Sequence, residues 1–255
     1  MSKAQSFYLF DFDDNIMFLD TPILIKNTVT KEIVSVSTGD FANIHPLLGI
    51  SGNWINFSMF NGSYLHFSDI TKEEIEQGKE QYFVEDIKKA IRQDIEKWQA
   101  PSWELFKYAC EKKRPVSIVT ARGHSAETIK AGIDVLVENG LISQTPNYHT
   151  IYPVGNDQVR LDLGDTDLEL STPALKKCAI ISTVKKALEK YGSEPDHFFG
   201  MSDDDPSNVS LIITAMCECK KMYQNMRFFV INTHLGEKVK LEVYPDNMPV
   251  PRYSK

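Results

Sequence analysis

Asp11 and Asp13 stand on alternate residues at the end of an apolar run, Phe7-Tyr8-Leu9-Phe10, with Asp14 and Asn15 directly after them. Carboxylates this close repel one another, and a nearby cation relieves the repulsion. The spacing suits one carboxylate as nucleophile and the next as general acid/base, with a divalent metal between them and an anionic substrate. Taken alone, the segment also reads as a strand that runs into an Asp-rich turn or helix cap.

A run this hydrophobic predicts a strand buried on both faces, as in a parallel sheet. Its acids then fall at the carboxyl end, where open α/β sheets place ligands. A second run, Val116-Ser117-Ile118-Val119, ends in Thr120, with Arg122 and His124 just beyond it. Arg122 has the geometry to bind a phosphate or carboxylate. A third run, His197-Phe198-Phe199-Gly200, leads into Asp203, Asp204 and Asp205. Pro206 marks a helix start, which makes Asp205 the N-cap and leaves Asp203 and Asp204 for a metal. Helices are predicted over 102–113, 125–139 and 172–191 and from Pro206 towards Tyr223, with strands at 149–154 and 227–231 and a last strand or hairpin arm over 238–244. Strands alternating with helices predict a doubly wound parallel sheet, and right-handed crossovers bring the ends of the acid-bearing strands to one rim.

Between the first two of these strands, 22–26 and 31–37 read as a β-hairpin about Asn27-Thr28-Val29-Thr30. The stretch 45–67 carries Trp54, Phe57, Phe60, Tyr64 and Phe67 at a spacing that fits neither helix nor strand, and predicts irregular structure pinned by aromatic packing. Ile75, Tyr82, Phe83, Ile87, Ile91, Ile95 and Trp98 recur at helical spacing, which predicts one long helix over 71–98 capped by Ser68 or Asp69. Further on, 159–164 and 167–171 alternate with period two and predict a small hairpin. The Pro-rich end reads as a loose tail.

These three runs and the helix around Lys176 and Lys177, taken in order, resemble the motifs of the haloacid dehalogenase (HAD) superfamily of phosphohydrolases. Asp11-x-Asp13 after a hydrophobic strand resembles the first, the strand ending in Thr120 the second, the helix around Lys176 and Lys177 the third, and Gly200-Met201-Ser202-Asp203-Asp204-Asp205 the fourth. The family usually has a small residue where Asp14 stands, and Thr or Val where Asn15 stands. The resemblance implies a Rossmann-like HAD core built from 1–15 and 100–255, with 16–99 forming a flap hairpin and a cap-like insertion after the first strand. It implies Asp11 as nucleophile, forming an aspartyl-phosphate, and Asp13 as the acid that protonates the leaving alcohol and then activates water. Thr120 would donate to the phosphoryl oxygens, and Arg122 and Asn15 would meet substrate. One lysine, Lys176 or Lys177 with a preference for Lys177, would pair with the nucleophile. Magnesium, a hard cation suited to oxygen ligands, would be held by Asp11, Asp203, Asp204 and Asp13, the last through its backbone carbonyl. The implied activity is a magnesium-dependent phosphatase. A phosphotransferase or mutase on the same fold differs only in what attacks the aspartyl-phosphate, and a catalytically silent binding protein is the reading of another class. Dehalogenation fits less well, having no use for Asp13.

The 255 residues suffice for one α/β domain with an insertion, and 42% hydrophobic with 25% charged residues are ordinary globular values. A formal charge of −7 argues against an extended nucleic-acid surface while leaving room for a local basic pocket. No signal-like or membrane-spanning window is seen, so a cytoplasmic protein acting on a phosphorylated substrate is expected. Cys110, Cys178, Cys217 and Cys219 all fall in predicted helices and read as reduced thiols, not a zinc site.

Overall fold

In the computed structural model, which describes residues 3–245 and 250–251, strand β1 (Ser6–Phe10) occupies the interior of a seven-stranded sheet. The order is β10-β9-β8-β7-β1-β5-β6, with β5 (Pro115–Thr120), β6 (Asn147–Pro153), β7 (Phe198–Asp203) and β8 (Arg227–Asn232) all running parallel to β1. The antiparallel strands β9 (Val239–Val243) and β10 (Val250–Pro251) complete one edge. Val250 and Pro251 thus belong to the sheet, while 246–249 and 252–255 of the expected tail lie outside the described residues.

The alternation of side chains along β1 feeds two cores. Phe7 and Leu9 join Phe199, Met201 and the helix residues Ile180, Val184 and Ile212 on one face. Phe10 joins Ile118, Phe106, Ile129 and Phe83 on the other. Helices α8 (Thr172–Tyr191) and α9 (Pro206–Met222) cover the first face, and α3 (Tyr82–Ala90), α5 (Trp103–Glu111) and α6 (Ala126–Glu138) the second. Burial on both faces explains why β5 is apolar but for Ser117 and the terminal Thr120, since all six of its residues are buried. From β1 the chain crosses to β5 and β6 on one side and later to β7 and β8 on the other. The carboxyl end of β1 is therefore the switch point of the sheet, the place where such folds open a crevice.

The predicted hairpin is present as β2 (Ile23–Asn27) and β3 (Ile33–Val36), with β4 (Phe57–Ser58) added on the other side of β2. Asn27 turns the corner by accepting from the amides of Val29 and Thr30. Helix α1 (Thr38–Ile44) follows the hairpin. The stretch expected as one helix over 71–98 is three: α2 (Lys72–Glu76), α3 and α4 (Ile95–Trp98). Thr71 and Glu74 form a capping box on α2, displacing Ser68 and Asp69 from the expected cap. Gly78, at φ 81°, then ends that helix in a conformation only glycine takes freely. Ile75 and Ile95, counted in the apolar stripe, are half exposed.

Helix α3 also belongs to the body of the molecule. Phe83 lies so close to α6 that a Cβ on Gly132 would come within 2.5 Å of its ring, so the insertion is not separable from the core up to residue 99. The hairpin expected over 159–171 is instead helix α7 (Asp157–Asp162) and a turn. Asn156 caps the helix, and Asp165 organises the turn by accepting from the amides of Glu169 and Leu170 while pairing with Arg160. Val159 and Leu163 pack on the core, a spacing that serves helix and strand alike. Among the described residues no helix is long and apolar enough to cross a membrane.

Candidate active site at the carboxyl rim of the sheet

Asp11 follows β1, and its amide donates to the Ser202 carbonyl across to β7 at 3.0 Å. Asp203 closes β7 and Thr120 closes β5. Parallel pairing of β1 with both neighbours brings these three positions to one edge. Lys176 enters from the start of α8, whose first turn is set by the Ser171 cap and Pro173. Its Nζ lies 3.0 Å from Asp11 Oδ1 and 2.9 Å from Asp203 Oδ2.

Lys177 does not join them. One residue on, about 100° round the helix, it leaves the sheet and pairs with Glu218 on α9. The preference for Lys177 is therefore corrected to Lys176. The signal was in the helix phase: Leu175, Ala179, Ile180, Thr183, Val184, Ala187 and Leu188 mark the buried side of α8, and Lys176 sits among them.

Asp11, Asp203 and Asp204 form the only group of three among the described residues whose ligand atoms could hold a metal ion, with donors within 4.8 Å of one another. Asp203 is fully buried and is fixed by the Asp205 amide and the Asn208 side chain, both donating to Oδ1. Asp205 caps α9 by accepting from the Ser207 amide, as its place before Pro206 predicts. Burial, with repulsion from Asp203, Asp13 and Asp204, pushes the Asp11 carboxyl well above the usual range despite Lys176. Burial and the charge of Asp203 carry Asp204 up to about 7. Lys176 shows the converse: burial disfavours its charge, but Asp11 and Asp203 outweigh it and raise its pKa. When ionised, three carboxylates against one ammonium leave an excess of negative charge, which a divalent cation with a taste for oxygen would balance. The donor set thus fits magnesium.

Asp13 points elsewhere. Both of its oxygens accept from Arg122, Oδ2 from Nε at 2.8 Å and Oδ1 from Nη2 at 2.6 Å. Its side chain is therefore outside the metal-capable group, and the expected ligand role of Asp13 concerns its backbone carbonyl alone. Arg122 is itself fully buried, with its guanidinium 4.9 Å from the Phe67 ring centroid and 4.7 Å from that of Phe83. Its Nε and Nη2 are spent on Asp13 and Thr21 between the two rings, so Arg122 braces Asp13 in place of facing substrate, which corrects the expected binding role. His124, two residues on, is fully buried beside Phe83 with neither ring nitrogen hydrogen-bonded. Burial, then Arg122, hold its pKa down to about 3.

Asn15 is likewise not a substrate contact. Its Nδ2 donates to the carbonyls of Asp11 and Ser202 and to Ser202 Oγ. Its Oδ1 accepts from the hydroxyls of Ser102 and Thr233. With its capacity spent, it ties β1, β7, the start of α5 and the segment after β8 together beneath the acids. Asp14, at φ 55°, makes the turn between, and burial with the Asp13 charge raises its pKa to about 6. Thr120 is buried at the end of β5, its Oγ1 accepting from the Arg122 amide at 3.3 Å, and keeps a hydroxyl proton to donate. Thr21, which accepts from Arg122 and donates to Asp86, completes these networks together with Phe67 and Asn208, and no motif announces any of them.

The chain matches no protein-family model, no curated protein and no solved structure.

Proposed function

We propose that this protein is a magnesium-dependent phosphomonoesterase that works through an aspartyl-phosphate on Asp11. The observation that carries the reading is the contact of Asp11, at the switch point of the sheet, with buried Lys176, inside the metal-capable group completed by Asp203 and Asp204. Asp11, Asp203 and Asp204 would hold the cation, with the Asp13 carbonyl as the further ligand that the HAD resemblance implies. Bound there, magnesium would neutralise the approach of an anionic nucleophile to a dianionic phosphate.

In the first step an Asp11 oxygen forms a bond to phosphorus while the bond from phosphorus to the ester oxygen breaks, its electron pair leaving with that oxygen. Asp13 supplies the proton that turns the departing group into an alcohol. Lys176 holds Asp11 in place and offsets charge on the phosphoryl oxygens, to which Thr120 donates a hydrogen bond. In the second step water attacks phosphorus, its proton passes to Asp13, and phosphate leaves as Asp11 is regenerated. The β2–β3 hairpin, which follows β1, would serve as the flap over this rim, and the substrate would be a phosphomonoester in the cytoplasm.

A screen of phosphomonoesters with magnesium and with chelator tests the proposal. Metal-dependent phosphate release in water, without an added acceptor, supports a hydrolase. Turnover only with an alcohol acceptor would make the protein a phosphotransferase, and no turnover on any ester would leave a binding protein.

A further inference from the structure

Arg122 reaches across 109 positions to Asp13, and what holds Arg122 comes from the insertion between β1 and β5. Its Nη2 also donates to Thr21 Oγ1 at 2.7 Å. Thr21, fully buried, donates in turn to Asp86 Oδ2 on α3 at 2.6 Å. Phe67 and Phe83 flank the guanidinium, and the Gly123 amide donates to the Phe67 carbonyl at 2.7 Å, docking the aromatic-rich segment onto the loop that carries Arg122. The Asp13 side chain keeps 24% exposure while that of Arg122 has none. The carboxylate is thus anchored along one edge and open along another. A planar fork engaging both oxygens fixes the plane of a carboxylate as well as its position, which a lysine cannot do.

We propose that Arg122, braced by Thr21, Asp86, Phe67 and Phe83, is a positioning residue that aims the Asp13 carboxyl at the leaving-group oxygen, so that the insertion governs proton delivery and not attack by Asp11. The inference rests on the phosphatase reading above. Arg122 touches neither phosphate nor metal in this arrangement; it acts through Asp13. Thr21 and Asp86 then matter to catalysis only as links in that chain. The proton needed by the leaving oxygen depends on the ester: an alkoxide requires it, whereas a nitrophenolate leaves readily without it.

The test measures pre-steady-state alcohol release, which reports the first step alone, from nitrophenyl phosphate and from an alkyl phosphate, in the full-length protein with saturating magnesium. Thr21→Val, nearly isosteric, and Arg122→Lys, which keeps the charge but loses the fork, are compared with wild type and with Asp13→Asn. Alkyl phosphate should lose roughly ten- to a hundredfold in rate, within the ~10²–10⁴ that a positioned acid supplies, and nitrophenyl phosphate less than about threefold. Because the residues act as a unit, Asp13→Asn combined with Thr21→Val should be no slower than Asp13→Asn alone. Equal losses on both esters, no loss on either, or additive losses in the double variant would overturn the proposal while leaving the phosphatase reading intact. If Arg122→Lys does not fold, Thr21→Val decides by the same criteria. A wild-type protein that releases alcohol from no ester of the phosphomonoester screen overturns the phosphatase reading, and this inference with it.

Discussion

Lys176 and Asp203 form an ion pair sealed from solvent, with 2.9 Å between Nζ and Oδ2 and side-chain exposures of 2% and 0%. The same ammonium lies 3.0 Å from Asp11, so one lysine spans the start and the end of the acid cluster. Removing it strands two buried carboxylates, whereas Lys177 and Glu218 are both partly solvated. Lys176→Met should therefore cost about 3–5 kcal/mol in chelator, the usual result of breaking a buried pair from one side, and should abolish turnover. Lys177→Ala should cost less than about 1 kcal/mol with turnover kept. Urea unfolding of both variants beside their kinetics separates the two lysines, and equal effects would contradict the assignment.

Asn15→Ala should behave as a structural lesion. It strips partners from the hydroxyls of Ser102 and Thr233 and from the Asp11 carbonyl, and each buried group left unsatisfied costs about 1–3 kcal/mol. Thermal melting should fall steeply, while the KM of whatever folded protein remains stays near wild type. A raised KM with unchanged melting would restore Asn15 as a substrate contact.

Asp204 and Asp205 adjoin in sequence and should separate in function. Asp204→Asn should raise the magnesium needed for half-maximal activity, and Asp205→Ala should leave it alone while costing about 0.5–2 kcal/mol as a lost helix cap. The pH dependence follows from the raised Asp204 carboxyl, up to about 7 from its ordinary 3.8. Between these values the folded, metal-free protein binds a proton that the unfolded chain has released, so this contribution to stability falls as pH rises from about 4 to 7. In chelator, the melting temperature of wild type minus that of Asp204→Asn should decline across that window. A rising difference would contradict the sign.

His124 predicts the opposite slope. Its pKa is held down to about 3 from 6.5, so the unfolded state binds the extra proton between those values and stability falls as pH drops through them. His124→Leu removes two unpaired buried nitrogens and should melt above wild type, with the gap widening from pH 7 to pH 5. A constant or narrowing gap would place solvent or a partner at the imidazole.

The acids and Thr120 were legible in the sequence because strand burial and the Pro206 helix start are local signals, and parallel pairing of β1 with β5 and β7 follows from the rhythm of the elements. Lys176 was legible too, but only through the phase of the buried side of α8, not through the spacing of the two lysines. The partners of Asp13 were not. Arg122, Thr21 and Asp86 come from three distant segments, and nothing in any one of them signals the other two. The helix over 71–98 failed because apolar residues at helical spacing say nothing about a left-handed glycine between them, and the hairpin over 159–171 because Val159, Leu161 and Leu163 suit one face of a strand as well as a short helix. The expected roles of Asn15 and Arg122 failed for one shared reason: a polar side chain beside a site can be spent holding the site together.

Incubating the protein with magnesium and a phosphomonoester labelled on phosphorus, then quenching in acid, should trap label on the chain as an acyl phosphate that hydroxylamine releases and that maps to the peptide containing Asp11. Asp11→Asn should carry no label and turn over less than about a tenth as fast as wild type, with its fold preserved by circular dichroism. Turnover by wild type without labelled protein at any quench time, or label that persists in Asp11→Asn, would contradict the account.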